Sequence, residues 1–156
     1  MKRERKILFF GVLILLLIFI IGALIIIYQK KSEPIYNFPN SAEVVAQYFT
    51  SWSNKDYPDM YATISDGFKK IEPTAKDLSS FKEYAESQKI KSINIVSINE
   101  KSNDGTTAEV NYSVEFLLED DTTTKYEGTF TLKNRQSDVI RGWKLIHPYG
   151  SNIDTS

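Results

Sequence analysis

Apolar residues follow three different rhythms along this 156-residue chain. From Ile7 to Tyr28 they run almost unbroken, and those 22 residues hold no formal charge. Between Asn40 and Lys89 they recur at helical spacing, and from Ile90 to His147 they tend to alternate. The first rhythm predicts a membrane helix, because roughly 20 apolar residues cross a ~30 Å hydrocarbon core. A buried core helix competes with that reading, but such a helix rarely runs so long without a polar face. A cleaved signal peptide also competes; its apolar region is usually ~7–15 residues, with small residues at the cleavage site. Here the run ends in Tyr28-Gln29-Lys30-Lys31, an aromatic and basic end that suits an interfacial anchor.

The second rhythm predicts three helices. The first starts at Asn40 with Glu43 as its capping-box partner. It places Val44, Val45, Tyr48, Phe49 and Trp52 on one face. Asn54-Lys55-Asp56 breaks it, and Pro58 opens a shorter helix that carries Met60, Tyr61 and Ile64 inward. Ser65-Asp66-Gly67 reads as a turn. Thr74 or Asp77 then caps a third helix whose apolar face is Leu78, Phe81, Tyr84 and Ala85.

The third rhythm predicts four antiparallel strands. In the first, Ile93 and Ile95 face one way and Val96 and Ile98 the other, which calls for a bulge or burial on both sides. Asn103-Asp104-Gly105 makes a hairpin turn. The next strand turns Ala108, Val110, Tyr112, Val114, Phe116 and Leu118 to one face. Asp120 to Thr122 leads into Tyr126, Gly128, Phe130 and Leu132, with Gly128 marking a bend or a close contact. The last strand is Gly142 to His147, stopped by Pro148. Helices followed by strands predict an α+β domain with the helices gathered on one side of a curved sheet.

Charge orients the chain. Lys2, Arg3, Arg5 and Lys6 precede the apolar block against Glu4 alone, whereas only Lys30 and Lys31 follow it. The expected topology is single-pass in the cell membrane, with residues 1–6 cytoplasmic and the C-terminal body extracytoplasmic. Residues 7–28 form the anchor, 29–40 a linker, 41–150 the domain and 151–156 a flexible tail. Six of the 19 basic residues lie at or before Lys31, against one of the 20 acidic ones, so the domain is net acidic. That balance argues against a nucleic-acid partner. The absence of cysteine excludes disulfides, thiolate metal sites, a cysteine nucleophile and lipidation through Cys.

The order of elements and their local wording resemble the NTF2-like superfamily, and within it the MecA-type N-terminal domain of class B penicillin-binding proteins. The residues that carry the resemblance are Ala46-Gln47-Tyr48-Phe49-Thr50-Ser51-Trp52, Lys55-Asp56-Tyr57 and Met60-Tyr61. Phe81, the isoleucine-rich stretch 90–98, Asp104 to Val110 and Trp143-Lys144 complete the set, which spans roughly residues 41–150. The resemblance implies a cone of three helices on about four strands, and a spacer, scaffold or docking role beside a catalytic domain. With Ser156 as the last residue, the expectation is such a domain without its transpeptidase.

Candidate chemistry is sparse. Ser79-Ser80-Phe81-Lys82 fits the first motif of a serine transpeptidase, but its partner motifs are missing and Ser79 sits at a helix start. His147 is the only histidine, so a zinc site built on several histidines is unavailable. Glu119-Asp120-Asp121 lacks the spacing of a calcium loop. Asn111-Tyr112-Ser113 is a glycosylation sequon in mid-strand. Tyr112, Tyr126, Trp143 and His147 are the candidates for facing the cone or a partner. No catalytic residue, metal ligand or cofactor is expected. The function expected is non-enzymatic: a scaffold or docking module in the cell envelope, linked to wall synthesis, whose partners are the bilayer and an envelope protein. A subunit of a conjugation or secretion channel, self-associating, and a small-ligand binder are the alternatives.

Overall fold

The computed structural model describes residues 38–148. The predicted cytoplasmic stretch 1–6, the anchor 7–28, linker residues 29–37 and the tail 151–156 lie outside the described residues. Among the described residues no helix is long and apolar enough to cross a membrane.

Helix α1 (Ser41–Ser53) starts as its sequence dictates. The Asn40 side chain accepts from the Glu43 amide at 2.9 Å, and the Glu43 carboxylate accepts from the Asn40 amide at 2.8 Å. Two otherwise orphaned donors are thereby satisfied. Val44, Val45, Phe49 and Trp52 are buried along one face, with Tyr48 packed beside them. Helix α2 (Tyr57–Ala62) follows under an Asp56 cap with Pro58 in its first turn, and buries Met60 completely.

The expected turn at Ser65-Asp66-Gly67 is instead the start of a further helix, α3 (Asp66–Ile71). Ser65 Oγ accepts from the Phe68 amide at 2.9 Å, so the polar residues that suggested a turn serve as a helix cap. A 3-10 turn (Pro73–Ala75) leads to α4 (Leu78–Ser87), which Asp77 caps. The described residues therefore hold four α-helices where the sequence pattern gives three. In α4 only Phe81 and Ala85, one turn apart, are buried. Leu78 and Tyr84 flank that stripe and stay exposed, contrary to expectation.

Four strands form one antiparallel sheet in the order β1 (Ile90–Asn103), β2 (Thr107–Leu118), β3 (Thr123–Arg135), β4 (Gly142–Leu145). The β1–β2 register breaks between Ile90 and Ser92, Ile95 and Ser97, and Glu100 and Ser102. Each break skips one β1 residue, which reverses the faces beyond it. Ile90, Ile93, Ile95 and Ile98 consequently all share the face of Leu118, Phe116, Val114 and Tyr112. The bulge reading of the isoleucine spacing is thus correct, and Val96 is the residue expelled to solvent. Strand β4 ends two residues before the predicted stop. Leu145 exchanges backbone bonds of 2.9 Å with Thr63 and Ser65, so the α2–α3 connection takes the place of a continuing ladder. The core lies between α1, α2 and the sheet, around Val45, Phe49, Met60, Val110, Val114 and Leu132.

Candidate functional site

The helix-facing side of the sheet is the natural place for a ligand chamber in such a layered fold, and side chains fill it. Directly paired residues share a face. The β2–β3 register therefore sets Tyr112 over Gly128, Val110 beside Phe130 and Val114 beside Tyr126. The Tyr112 ring stacks on Phe130 at 4.6 Å and meets Phe49 at 5.1 Å. Tyr48 meets Phe130 edge-on at 5.7 Å, and Trp52 meets Phe116 at 5.5 Å. Gly128 shows how tight this is: a Cβ there would stand 2.7 Å from the Tyr112 hydroxyl. Gly128 is thus a point of close contact, one of the two roles its position in the strand suggests. Burial raises the pKa of Tyr112, and burial with the neighbouring Tyr84 and Tyr112 raises that of Tyr48. Both stay neutral hydroxyls under physiological conditions.

An open cleft of about 320 Å³ lies among the helices, lined by Tyr48, Phe68, Glu72, Thr74, Ala75, Phe81 and Tyr84. Its one carboxylate is well anchored. Glu72 Oε1 accepts from Thr74 Oγ1 at 2.8 Å and from the Thr74 amide at 3.2 Å. Its Oε2 lies 3.4 Å from His147 Nε2. The Thr74 hydrogen bonds, helped by His147, hold Glu72 below the usual carboxylate pKa. It is a fixed anion and a poor proton acceptor at neutral pH. Aromatic walls and one fixed negative charge form a surface for an amine or other cation.

The four sequence candidates do not assemble into one site. Tyr112 and Tyr126 share the helix-facing side of the sheet. Tyr112 is partly buried there against the core, whereas Tyr126 meets Phe116 at 4.9 Å with its ring tilted and is 49% exposed. Trp143, on β4 opposite Asn134, packs against the core. His147 lies against Glu72 and, at 5.1 Å, the Phe68 ring. Ser79 lies exposed at the start of α4, and Lys82 pairs with Glu86 at 3.7 Å, so the two make no catalytic unit. Asp120 caps its own turn through Thr122, and Asp121 pairs with Lys91 at 2.7 Å. No group of side chains suited to a metal ion occurs among the described residues. The sequence reading missed Glu72. Its signal was local: an acidic residue just before Pro73-Thr74, placed to cap a short turn.

A second polar cluster fastens the β3–β4 connection to α3. Asp138 Oδ1 pairs with Arg135 Nε at 3.2 Å, and its Oδ2 accepts from the Asp66 amide at 3.0 Å. Asp66 returns the contact, accepting from the Val139 amide at 3.0 Å and pairing with Lys69 at 3.1 Å. Burial opposes ionisation of Asp66, yet the Val139 amide and Lys69 lower its pKa overall. Buried Lys144 donates to the Ala62 carbonyl at 2.5 Å, and burial together with Lys69 lowers its pKa.

Comparison with known proteins agrees with this architecture. A family described as the NTF2-like N-terminal transpeptidase domain, of MecA type, matches residues 40–149. No curated protein matches the chain. Among solved structures, a SEC-C motif protein from Rhodopseudomonas palustris superposes with TM-score 0.50 at 10% identity, covering 70% of this chain and 79% of that one. The Δ5-3-ketosteroid isomerase of a Mycobacterium species gives TM-score 0.49 at 8% identity, over 67% and 90% of the two chains. A protein assigned as an NTF2-like transpeptidase from Campylobacter jejuni gives TM-score 0.38 at 18% identity, over 69% and 99%. At 10% identity the first of these likenesses concerns the fold alone.

Proposed function

Because the chain belongs to the MecA-type family of NTF2-like N-terminal transpeptidase domains, we propose that it is a non-enzymatic docking domain of the cell envelope. In this reading residues 7–28 anchor it in the membrane, and the domain stands outside the cytoplasm beside an envelope protein, with wall synthesis the favoured setting. One observation carries the reading: the chamber where an NTF2-like fold could hold a substrate is packed with the rings of Phe49, Tyr112, Phe116 and Phe130. Half-exposed Tyr126, held against Phe116, offers the kind of rigid aromatic on which a partner settles.

Site-specific photocrosslinking in intact membranes tests this. A crosslinker at Tyr126 should capture one envelope protein with a role in wall synthesis, whereas one at buried Val114 should capture none. Absence of any protein adduct at Tyr126 rejects docking through this face. A second reading, small-ligand binding, is favoured by the cleft around Glu72 alone. Binding of small amines that Glu72→Gln abolishes would favour it over the first.

A further inference from the structure

Among the described residues, three exposed apolar side chains, Phe38, Val139 and Ile140, lie at one end of the sheet. Val139 is 92% exposed and Ile140 51% exposed, side by side in the β3–β4 connection. They are not the tip of a loose loop. The Asp66 carboxylate grips the Val139 amide, and Asp138 one residue earlier is held by Arg135 and the Asp66 amide. A fold that fixes the backbone this firmly while pointing a valine and an isoleucine into water presents them to something.

The chain enters the domain at this same end. Phe38 packs over Gly142, two residues beyond Ile140: a Cβ at Gly142 would stand 3.3 Å from the Phe38 ring. The β1–β2 turn lies there too, since Asn134 near the end of β3 donates its amide to Thr106 at 2.8 Å. Between Tyr28 and Phe38 stand nine residues, which span at most about 30 Å when fully extended. Whatever membrane holds residues 7–28 therefore lies within a short reach of this end. A basic group accompanies the apolar pair: exposed Arg141 follows Ile140 directly. Asp104, at the same end, is occupied by the Thr106 and Thr107 amides.

We propose that the clamped Val139-Ile140 tip inserts into the outer lipid interface, giving the domain a second contact with the membrane beside its anchor. Apolar side chains at headgroup depth with flanking arginine are the chemistry of an interfacial contact. The contact would hold the domain upright by two points and fix which of its faces turns outward. This inference rests on the membrane-anchored reading above.

The native chain has no cysteine, so single labels can be placed cleanly. Full-length protein reconstituted in anionic vesicles would carry an environment-sensitive fluorophore at Val139→Cys. Leu16→Cys marks the anchor. Glu119→Cys marks the β2–β3 hairpin, at the far end of a 13-residue β3 and so up to ~40 Å from the tip. Lipids bearing a doxyl quencher near the headgroup should quench the label at 139 several-fold more than that at 119. Ile140→Asp should return the label at 139 to the level of 119. Equal quenching at 139 and 119, with the anchor label quenched, overturns the tip contact while leaving the tether intact. An unquenched anchor label removes the tether and the tip contact together. A blue-shifted label at 139 that lipid quenchers do not reach reports protein cover and also overturns the proposal.

Discussion

Gly128→Ala probes the packed interior most directly. Its Cβ would stand 2.7 Å from the Tyr112 hydroxyl and 2.9 Å from the ring carbon that bears it. Ordinary contacts between such atoms are above about 3.4 Å, so the ring must yield by roughly half an ångström. It has little room, because Phe130 stacks on it at 4.6 Å and Phe49 meets it at 5.1 Å. Overfilling a packed core costs about 1–3 kcal/mol. Loss of glycine's freedom in the unfolded chain returns about 0.4–1 kcal/mol. The expected net destabilisation is about 1–2 kcal/mol. Urea unfolding of the full chain in detergent, followed by tryptophan fluorescence, reads this well, since Trp52 lies 5.5 Å from Phe116 within the cluster. Tyr112→Leu in the Gly128→Ala background should recover part of the loss, giving a favourable coupling of about 1 kcal/mol. A variant as stable as the native chain, or strict additivity of the two substitutions, would refute the claim that Tyr112 fills the space over Gly128.

Other expectations follow from the polar contacts. Asp138→Ala removes a buried carboxylate that pairs with Arg135 and accepts from the Asp66 amide, and should cost about 1–3 kcal/mol, read by thermal unfolding. Asn40→Ala removes the α1 cap and should cost about 1 kcal/mol by the same measure. Glu72 has its folded pKa depressed below 4.5, so its contribution is present above that value and fades as pH falls through the folded pKa. Glu72→Gln should therefore flatten the acid side of the stability profile below about pH 4.5 and change nothing in the profile's shape above pH 6. An unchanged acid limb would show that Glu72 is not a linked group.

Local chemistry made much of the fold legible. The Asn40–Glu43 capping box, Pro58 in the first turn of α2 and the Asn103-Asp104-Gly105 turn are each decided within a few residues, and each stands where its sequence puts it. The isoleucines of β1 announced their bulge because a spacing of three within a strand fits one face only if a residue is skipped. Helix α3 was hidden because its six residues are too few to show a period, and Ser65-Asp66 is equally good as a turn or as a cap. The cleft was illegible for a different reason. Tyr48, Glu72, Phe81 and His147 come from separate elements, and only packing brings them near one another. Of the sequence candidates, Tyr126 alone is left half-exposed on the helix-facing side of the sheet, a matter of how far the helices extend over it.

The outermost strand has one more consequence. Its skipped residues fall five apart, at Lys91, Val96 and Lys101, so the rim kinks at regular intervals and two of the three kinks carry a lysine. A straight neighbour finds no continuous ladder along such a rim, since every few residues its donors and acceptors lose step. Copies of this domain brought side by side are thereby hindered from joining their sheets along this edge.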